Sequence, residues 1–345
     1  MTGIRRLAAE LNLSTATISR ALNGRPGASM ETRERVLRAA ANLGYVPNHS
    51  GRSLRQGSTK AIGFMIESGS DPTGNSDNFF LSVFDGVQAT LARHGLDLVV
   101  LPCPTDENPT DYLQRVVARG LVDAMIISAT HRKDDRIDLL KRADIPFVAL
   151  GRSGSPGPYP WVDLDFEGVA ARAVDRLVGL GHRRIAVALP SNDINLGFAF
   201  HDGYRAALAR HSIAYDAGLV VRAMSSELGG YQLGQELLAM SKRATAVVLI
   251  YELMAIGLYR RLNEAGVTPG VDLSVIGFRD SPLAQFLLPR LTCFRLSLRD
   301  LGISLGEALL AAMPAYAEQY PQGIVNKIWP MELVSGESDG PVAYS

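Results

Sequence analysis

The chain has 345 residues, 47% of them hydrophobic, with 35 basic and 35 acidic side chains. That length supports two or three cores, and with no apolar run of about eighteen residues a membrane-spanning helix is excluded. The overall charge balance excludes no partner until it is divided along the chain.

Residues 1–60 hold ten basic residues against three acidic ones, a local charge of +7, which leaves −7 on the remainder. A basic head on an acidic body is the footprint of a polyanion-binding module joined to something else. Arg5 and Arg6 are followed by no apolar run and no small-residue cleavage site, so the cytoplasm is expected rather than secretion. Cys103 and Cys293 stand in apolar stretches, where buried thiols are expected rather than a disulfide or a metal site.

Ile4, Leu7, Ala8 and Leu11 fall at i, i+3, i+4 and i+7, which predicts a helix over Ile4–Leu11. Asn12 suits the turn after it, and Ser14 or Thr15 caps a second helix. That helix buries Ile18, Ala21 and Leu22 and exposes Thr15, Ala16, Thr17, Ser19 and Arg20. Asn23 and Gly24 tolerate positive φ and end it. Ser29 then caps a third helix of about residues 30–43, with Val36, Leu37, Ala40 and Leu43 inward and Gly44 as its stop. Small polar residues at the start of the second helix let its backbone approach phosphates and base edges. Arg20, one turn on, is placed for a bidentate contact to guanine.

From residue 60 short apolar runs alternate with amphipathic helices. Strands are expected at Ala61–Ile66, Leu96–Leu101, Ala124–Ser128, Phe147–Leu150, Ile185–Leu189, Leu219–Val221, Ala246–Ile250 and Ser274–Gly277. Helical stretches such as Phe80–His94, Pro109–Arg119 and Val169–Leu180 separate them. Apolar strands with helical crossovers mean parallel sheets covered on both faces. So many strands exceed one ordinary sheet, and the Gly- and Pro-rich loop GRSGSPGPYP (151–160) reads as a switch between two lobes.

The run LSTATISRALNG (13–24), followed by LGYVPN (43–48) and a leucine at position 54, resembles the head of the lac repressor (LacI-type) family of bacterial transcription regulators. The phrases LGHRRIAVALP (180–190), LMAIGLYRRLNEAG (253–266) and VDLSVIGFRD (271–280) resemble the same family's periplasmic-binding-protein-like effector domain. The resemblance implies an all-α helix-turn-helix head (1–46), a hinge helix and linker (47–59), and an α/β two-lobed effector-binding and dimerisation domain with parallel sheets (60–335). The first lobe is placed at about 60–160 plus 293–325, the second at about 161–292 plus 326–335, and residues 336–345 as a flexible tail.

By the same resemblance a homodimer binds palindromic double-stranded operator DNA and represses carbohydrate utilisation genes. Ser14, Thr15, Ala16, Thr17, Ser19, Arg20, Asn23 and Tyr45 would face the half-site. Asn48 to Gln56 would form a helix that folds on DNA, with Asn48 and Arg52 beside the duplex and Leu54 wedged into a central base step. Gly51 stands where the family usually has alanine and should cost that helix roughly 1 kcal/mol. Arg6 replaces a commonly acidic residue and adds a phosphate contact. The ending MELVSGESDGPVAYS (331–345) has no leucine heptad, which favours a dimer over a tetramer.

Ligands of open parallel sheets sit at strand carboxyl ends. Matching motifs give Asn78, Phe79 and Ser128 from the first lobe as candidates for a small-molecule effector, a sugar or sugar derivative. From the second they give Asn195, Phe200, Tyr251, Glu252, Arg279 and Asp280, with Arg152 and Asp165 near the lobe connection. Sugar-responsive relatives usually carry Arg at the position of Phe200, Asn-Asp at Tyr251-Glu252, and Asp at Arg279. Either Arg279 anchors an anionic effector such as a sugar acid or phosphate, or it pairs with Glu252 and a neutral saccharide stacks on the aromatics. A regulator with no small-molecule effector is the remaining alternative. Neither a phosphate loop nor a nucleophile elbow occurs, and the six histidines are scattered, with His182 read as a helix-end cap. No catalysis, cofactor or metal is expected.

Overall fold

A computed structural model of the protein describes residues 3–22, 26–43, 58–67 and 79–342. Asn23, Tyr45, Asn48, Arg52, Leu54 and Asn78 lie outside the described residues, as do Gly24, Gly44, Gly51 and the expected hinge helix. The chain divides into two units, residues 1–59 and 60–345.

In the first unit α1 (Ile4–Leu11), α2 (Thr15–Leu22) and α3 (Met30–Asn42) pack around Leu7, Ile18, Ala21, Val36 and Ala40. Asn12 ends α1 in the left-handed conformation at φ 52°, which asparagine tolerates better than most residues. Ser14 caps α2, its Oγ accepting from the Thr17 N–H at 3.0 Å, and Ser29 caps α3 through the Thr32 N–H at 3.1 Å. Leu37, expected inward, is 46% exposed. The buried stripe of α3 is Val36 and Ala40, with Ala39 and the capping Leu43 partly buried beside it, and Leu37 stands on its flank.

The second unit holds, among the described residues, two six-stranded sheets. The first takes β1 (Ala61–Glu67), β2 (Asp97–Cys103), β3 (Ala124–Ile127), β4 (Phe147–Leu150), β5 (Trp161–Leu164) and β11 (Asn326–Trp329). The second takes β6 (Ile185–Pro190), β7 (Val220–Ala223), β8 (Ala246–Leu249), β9 (Ser274–Arg279), β10 (Thr292–Arg295) and β12 (Glu332–Val334). Their orders are β11-β5-β4-β3-β1-β2 and β12-β10-β9-β8-β6-β7. All pairings are parallel except β10 with β12. β3, β4, β6, β8 and β9 are buried along their whole length, as strands covered on both faces must be.

The covering helices are α4 (Phe79–Ala92), α5 (Pro109–Ala118), α6 (Asp135–Arg142) and α11 (Leu298–Ala312) on the first lobe. On the second they are α7 (Phe166–Gly179), α8 (Asn195–Arg210), α9 (Glu227–Ala239) and α10 (Leu253–Glu264). The pair α4 and α11 meets on glycine: a Cβ at Gly86 would lie 2.0 Å from the Arg299 carbonyl oxygen, and one at Gly302 2.2 Å from that of Val83. Only hydrogen fits at such a backbone approach.

Three of the expected boundaries are corrected. The loop 151–160 is not the switch between lobes: it joins β4 to β5, which pair in one sheet, and the chain crosses at Asp165. The loop is instead tied to its own lobe, the Ser153 N–H donating to the Tyr159 hydroxyl and Lys141 Nζ to the Pro156 carbonyl. Residues 161–164 and 326–329 therefore belong to the first lobe and 292–295 to the second, with further crossings at Leu296–Ser297 and Pro330–Met331.

The segment to residue 342 is no loose tail. Ser338 is fully buried, accepting from the Thr292 N–H and donating to the Val275 carbonyl, and the buried Asp339 carboxylate pairs with Arg176. Short strands and polar sequence hid these contacts, because they are set by partners far along the chain. The imidazole of His182 likewise spans Thr245 and the Gly340 carbonyl, each at 2.9 Å.

Candidate functional site

Two surfaces carry chemistry, and each is described within its own unit. In the head, Ser14, Thr15, Ala16 and Arg20 are exposed and Thr17 and Ser19 half-buried. Ser14 caps α2 and the others lie along it, with Arg20 in its last turn, while Ile18 and Ala21 are buried. The Ser14 hydroxyl is engaged in the cap and also lies 2.9 Å from that of Thr17. Small side chains at a helix N-terminus leave backbone N–H groups accessible to phosphate.

In the body a cavity of about 660 Å³ opens at the carboxyl ends of both sets of strands, within the range of small-molecule sites. Phe79, Ser128, Tyr251, Glu252 and Arg279 line it, as does Arg152. Four expected residues, Phe200, Asn195, Asp280 and Asp165, do not. Phe200 is fully buried in the core, its ring edge against Phe278 at 6.2 Å. Asn195 starts α8 one step off the wall, its Nδ2 donating to the Arg152 carbonyl at 2.8 Å. Asp280 turns away to pair with Arg295 at 3.1 Å. Position in a motif puts each near the cleft, whereas packing of the neighbouring strand or helix decides which way it points. Asp165 caps α7 through the Gly168 N–H and pairs with Arg172.

Aromatic rings form much of the apolar wall. Phe166 and Phe278 are stacked at 4.9 Å and 8°, and Phe79 meets Phe80 edge-on at 5.2 Å. Burial pushes the Tyr251 phenol up to about 12, so its hydroxyl keeps a proton to donate.

The charged wall is built from paired groups. Arg279 donates to the Glu252 carboxylate, both side chains buried, and its guanidinium lies 5.6 Å from the centre of the Phe79 ring in the other lobe. Arg152 donates to Asp163 at 2.7 Å and also to Glu167. Burial raises Asp163 above the usual carboxylate range despite that partner. Glu67, at the end of β1, reaches Arg136 at 2.8 Å, and Arg136 is 1% exposed and grips Asp134 through two nitrogens. His131 Nε2 stands 3.4 Å from Glu67, whose contact raises the imidazole above its ordinary value.

Glu67, Thr130 and Asp163 line the cavity without belonging to any matched motif. Glu67 had a signal: it is the charged residue directly after an apolar strand. Arg136, behind it, had none, since a lone arginine in an amphipathic helix reads as solvated. Among the described residues no cluster of His, Cys, Asp and Glu could hold a metal ion, and no helix is long and apolar enough to cross a membrane.

Comparison with known proteins agrees with this division. Residues 4–48 match the family described as bacterial regulatory proteins, lacI family, and residues 174–338 match a periplasmic binding protein-like domain. The chain is 35% identical to the HTH-type transcriptional regulator AglR of Rhizobium meliloti (strain 1021), over 98% of this chain and 94% of that protein. A solved structure of the CelR–cellobiose complex covers 98% of this chain and 100% of its own, at 26% identity and a TM-score of 0.72. The lac repressor dimer bound to operator and the anti-inducer ONPF shares the fold at a TM-score of 0.83, with 23% identity and 98% of each chain covered. The chain belongs to the lacI family of bacterial regulatory proteins, which are DNA-binding transcriptional regulators and not enzymes.

Proposed function

We propose that this regulator is a repressor that binds a palindromic operator as a homodimer and is controlled by a neutral carbohydrate in the cleft. The carrying observation is the pairing of Arg279 with Glu252. Among the described residues the arginines that line the cavity, Arg279 and Arg152, are each already held by carboxylates. An anionic effector would have to break a buried pair and leave a carboxylate uncompensated, which costs several kcal/mol. A neutral sugar avoids that cost: its hydroxyls hydrogen-bond to paired charges and its apolar face stacks on rings. The complex of the related CelR with cellobiose supports the same class.

Support for a dimer comes from the segment after β9, where Phe286 and Leu288 are 84% and 82% exposed and Leu283 is also exposed. Clustered exposed apolar residues mark a surface that a partner covers, and a two-fold dimer reads a palindrome. On each half-site Thr15, Ala16 and Arg20 contact bases, with Ser14, Thr17 and Ser19 toward the backbone. Asn23, Tyr45, Asn48, Arg52 and Leu54 keep the roles that the family resemblance gives them. The body is the two-lobed effector and dimerisation domain.

The test is binding of a labelled palindrome, selected from random DNA, with a panel of neutral sugars, sugar acids and sugar phosphates. A neutral sugar should shift operator affinity, by the roughly 5- to 150-fold that useful coupling spans. A response to anions alone would overturn the neutral class, and a selected site without dyad symmetry would overturn the dimer.

A further inference from the structure

Apart from the three crossings, the lobes touch through segments of their own. His131, after β3, forms an isolated antiparallel bridge with Ile194, just before α8. The Asn195 N–H donates to the Thr130 carbonyl at 2.8 Å, and its side-chain amide donates to the Arg152 carbonyl at 2.8 Å. The Arg132 guanidinium lies 4.6 Å over the Phe198 ring. Thr130 and Arg152 are tied together by a bond from the Thr130 hydroxyl to the same Arg152 carbonyl.

The first-lobe half of this contact is anchored from the cavity. The backbone N–H of His131 donates to Asp134 at 3.1 Å, and its imidazole meets Glu67, which lines the cavity and leans on Arg136. We propose that residues 130–132 and 194–198 form a latch between the lobes, held in place from the cavity wall by Glu67 through His131. An effector hydroxyl that engages Glu67 then competes for the group that positions the latch. Occupancy of the cleft is thereby linked to lobe closure, a step that rests on reading the cleft as an effector site. The latch itself does not.

Lobe separation can be read directly by electron-spin distance measurement on the ligand-free chain. Labels at Asp106→Cys, in the exposed loop after β2, and Leu228→Cys, exposed at the start of α9, sit beyond the sheet edges farthest from the crossings. Opening is amplified there, and the native Cys103 and Cys293 are buried. Dilution with excess unlabelled chain removes distances between protomers. A single narrow distribution is expected for the labelled parent, with longer and broader ones after Asn195→Ala with Arg132→Ala, after Glu67→Gln, and after His131→Ala. His131→Ala leaves the Glu67–Arg136 pair intact, so it reports even if Glu67→Gln fails to fold. Unchanged distributions in all variants would overturn the latch. A shift with Asn195→Ala and Arg132→Ala, but with neither cavity-side variant, would overturn the anchoring by Glu67. Added cellobiose and other neutral sugars read the effector class separately: no response to any of them would count against that class and leave the latch result standing.

Discussion

Glu252 and Arg279 come from different strand ends, 27 residues apart, and close into one buried ion pair on the wall of the cleft. Burying either charge alone would be prohibitive, so each residue requires the other. The pair turns two residues that depart from the usual sugar-responsive pattern into one neutral donor–acceptor surface.

Removing one partner should therefore be costly. Glu252→Gln is expected to lower unfolding stability by about 3–5 kcal/mol, measured by denaturant titration, and to create affinity for sulfate that the parent lacks. Replacing both residues by methionine should recover most of the stability. A single variant as stable as the parent would show that the pair is not held in the folded protein.

Protonation of His131 should stabilise the fold. Its folded-state value is raised above 6.5 by the Glu67 contact, against burial and Arg136, with Asp134 adding to the rise. The stabilisation is then complete below pH 6.5 and is lost as pH rises through the folded-state value. Thermal melts from pH 5.5 to 8.5 should show this loss, and His131→Gln should remove it. An identical pH profile in the variant would assign the dependence to another group.

The α4–α11 contact tolerates no side chain at Gly86, where a Cβ would meet the Arg299 carbonyl at 2.0 Å. Gly86→Ala should force the helices apart and cost about 1–3 kcal/mol by overpacking. Chemical denaturation measures it. A stabilised variant, the usual result of Gly→Ala on an open helix face, would contradict the close approach.

On DNA, Arg20→Ala should cost about 1–3 kcal/mol and relax preference at one base position. Selection from random sequence with parent and variant compares the two directly. A uniform loss across all sequences would make Arg20 a phosphate contact instead.

The head was legible because its signals are local. Cap residues at Ser14 and Ser29, the left-handed Asn12 and the periodic apolar residues of α1 to α3 each act within one or two turns. The strands β1 to β4 and β6 to β9 were legible for a similar reason, since an uninterrupted apolar run has few other uses in a folded chain. Sequence likewise located the cleft loops, because the carboxyl ends of parallel strands face it whatever the side chains are.

Tertiary structure alone decided the rest. β5, β10, β11 and β12 carry no pattern of their own, and pairings such as β11 with β5 and β12 with β10 join segments far apart in the chain. The lobe boundaries followed those pairings and not the Gly- and Pro-rich loop. Phe200, Asn195 and Asp280 stand beside wall residues in sequence yet face the core, the other lobe and Arg295. The Arg136–Glu67–His131 network joins three segments that no local pattern connects. A charge can be buried only where its partner is, and where that partner lies is a property of the packed chain.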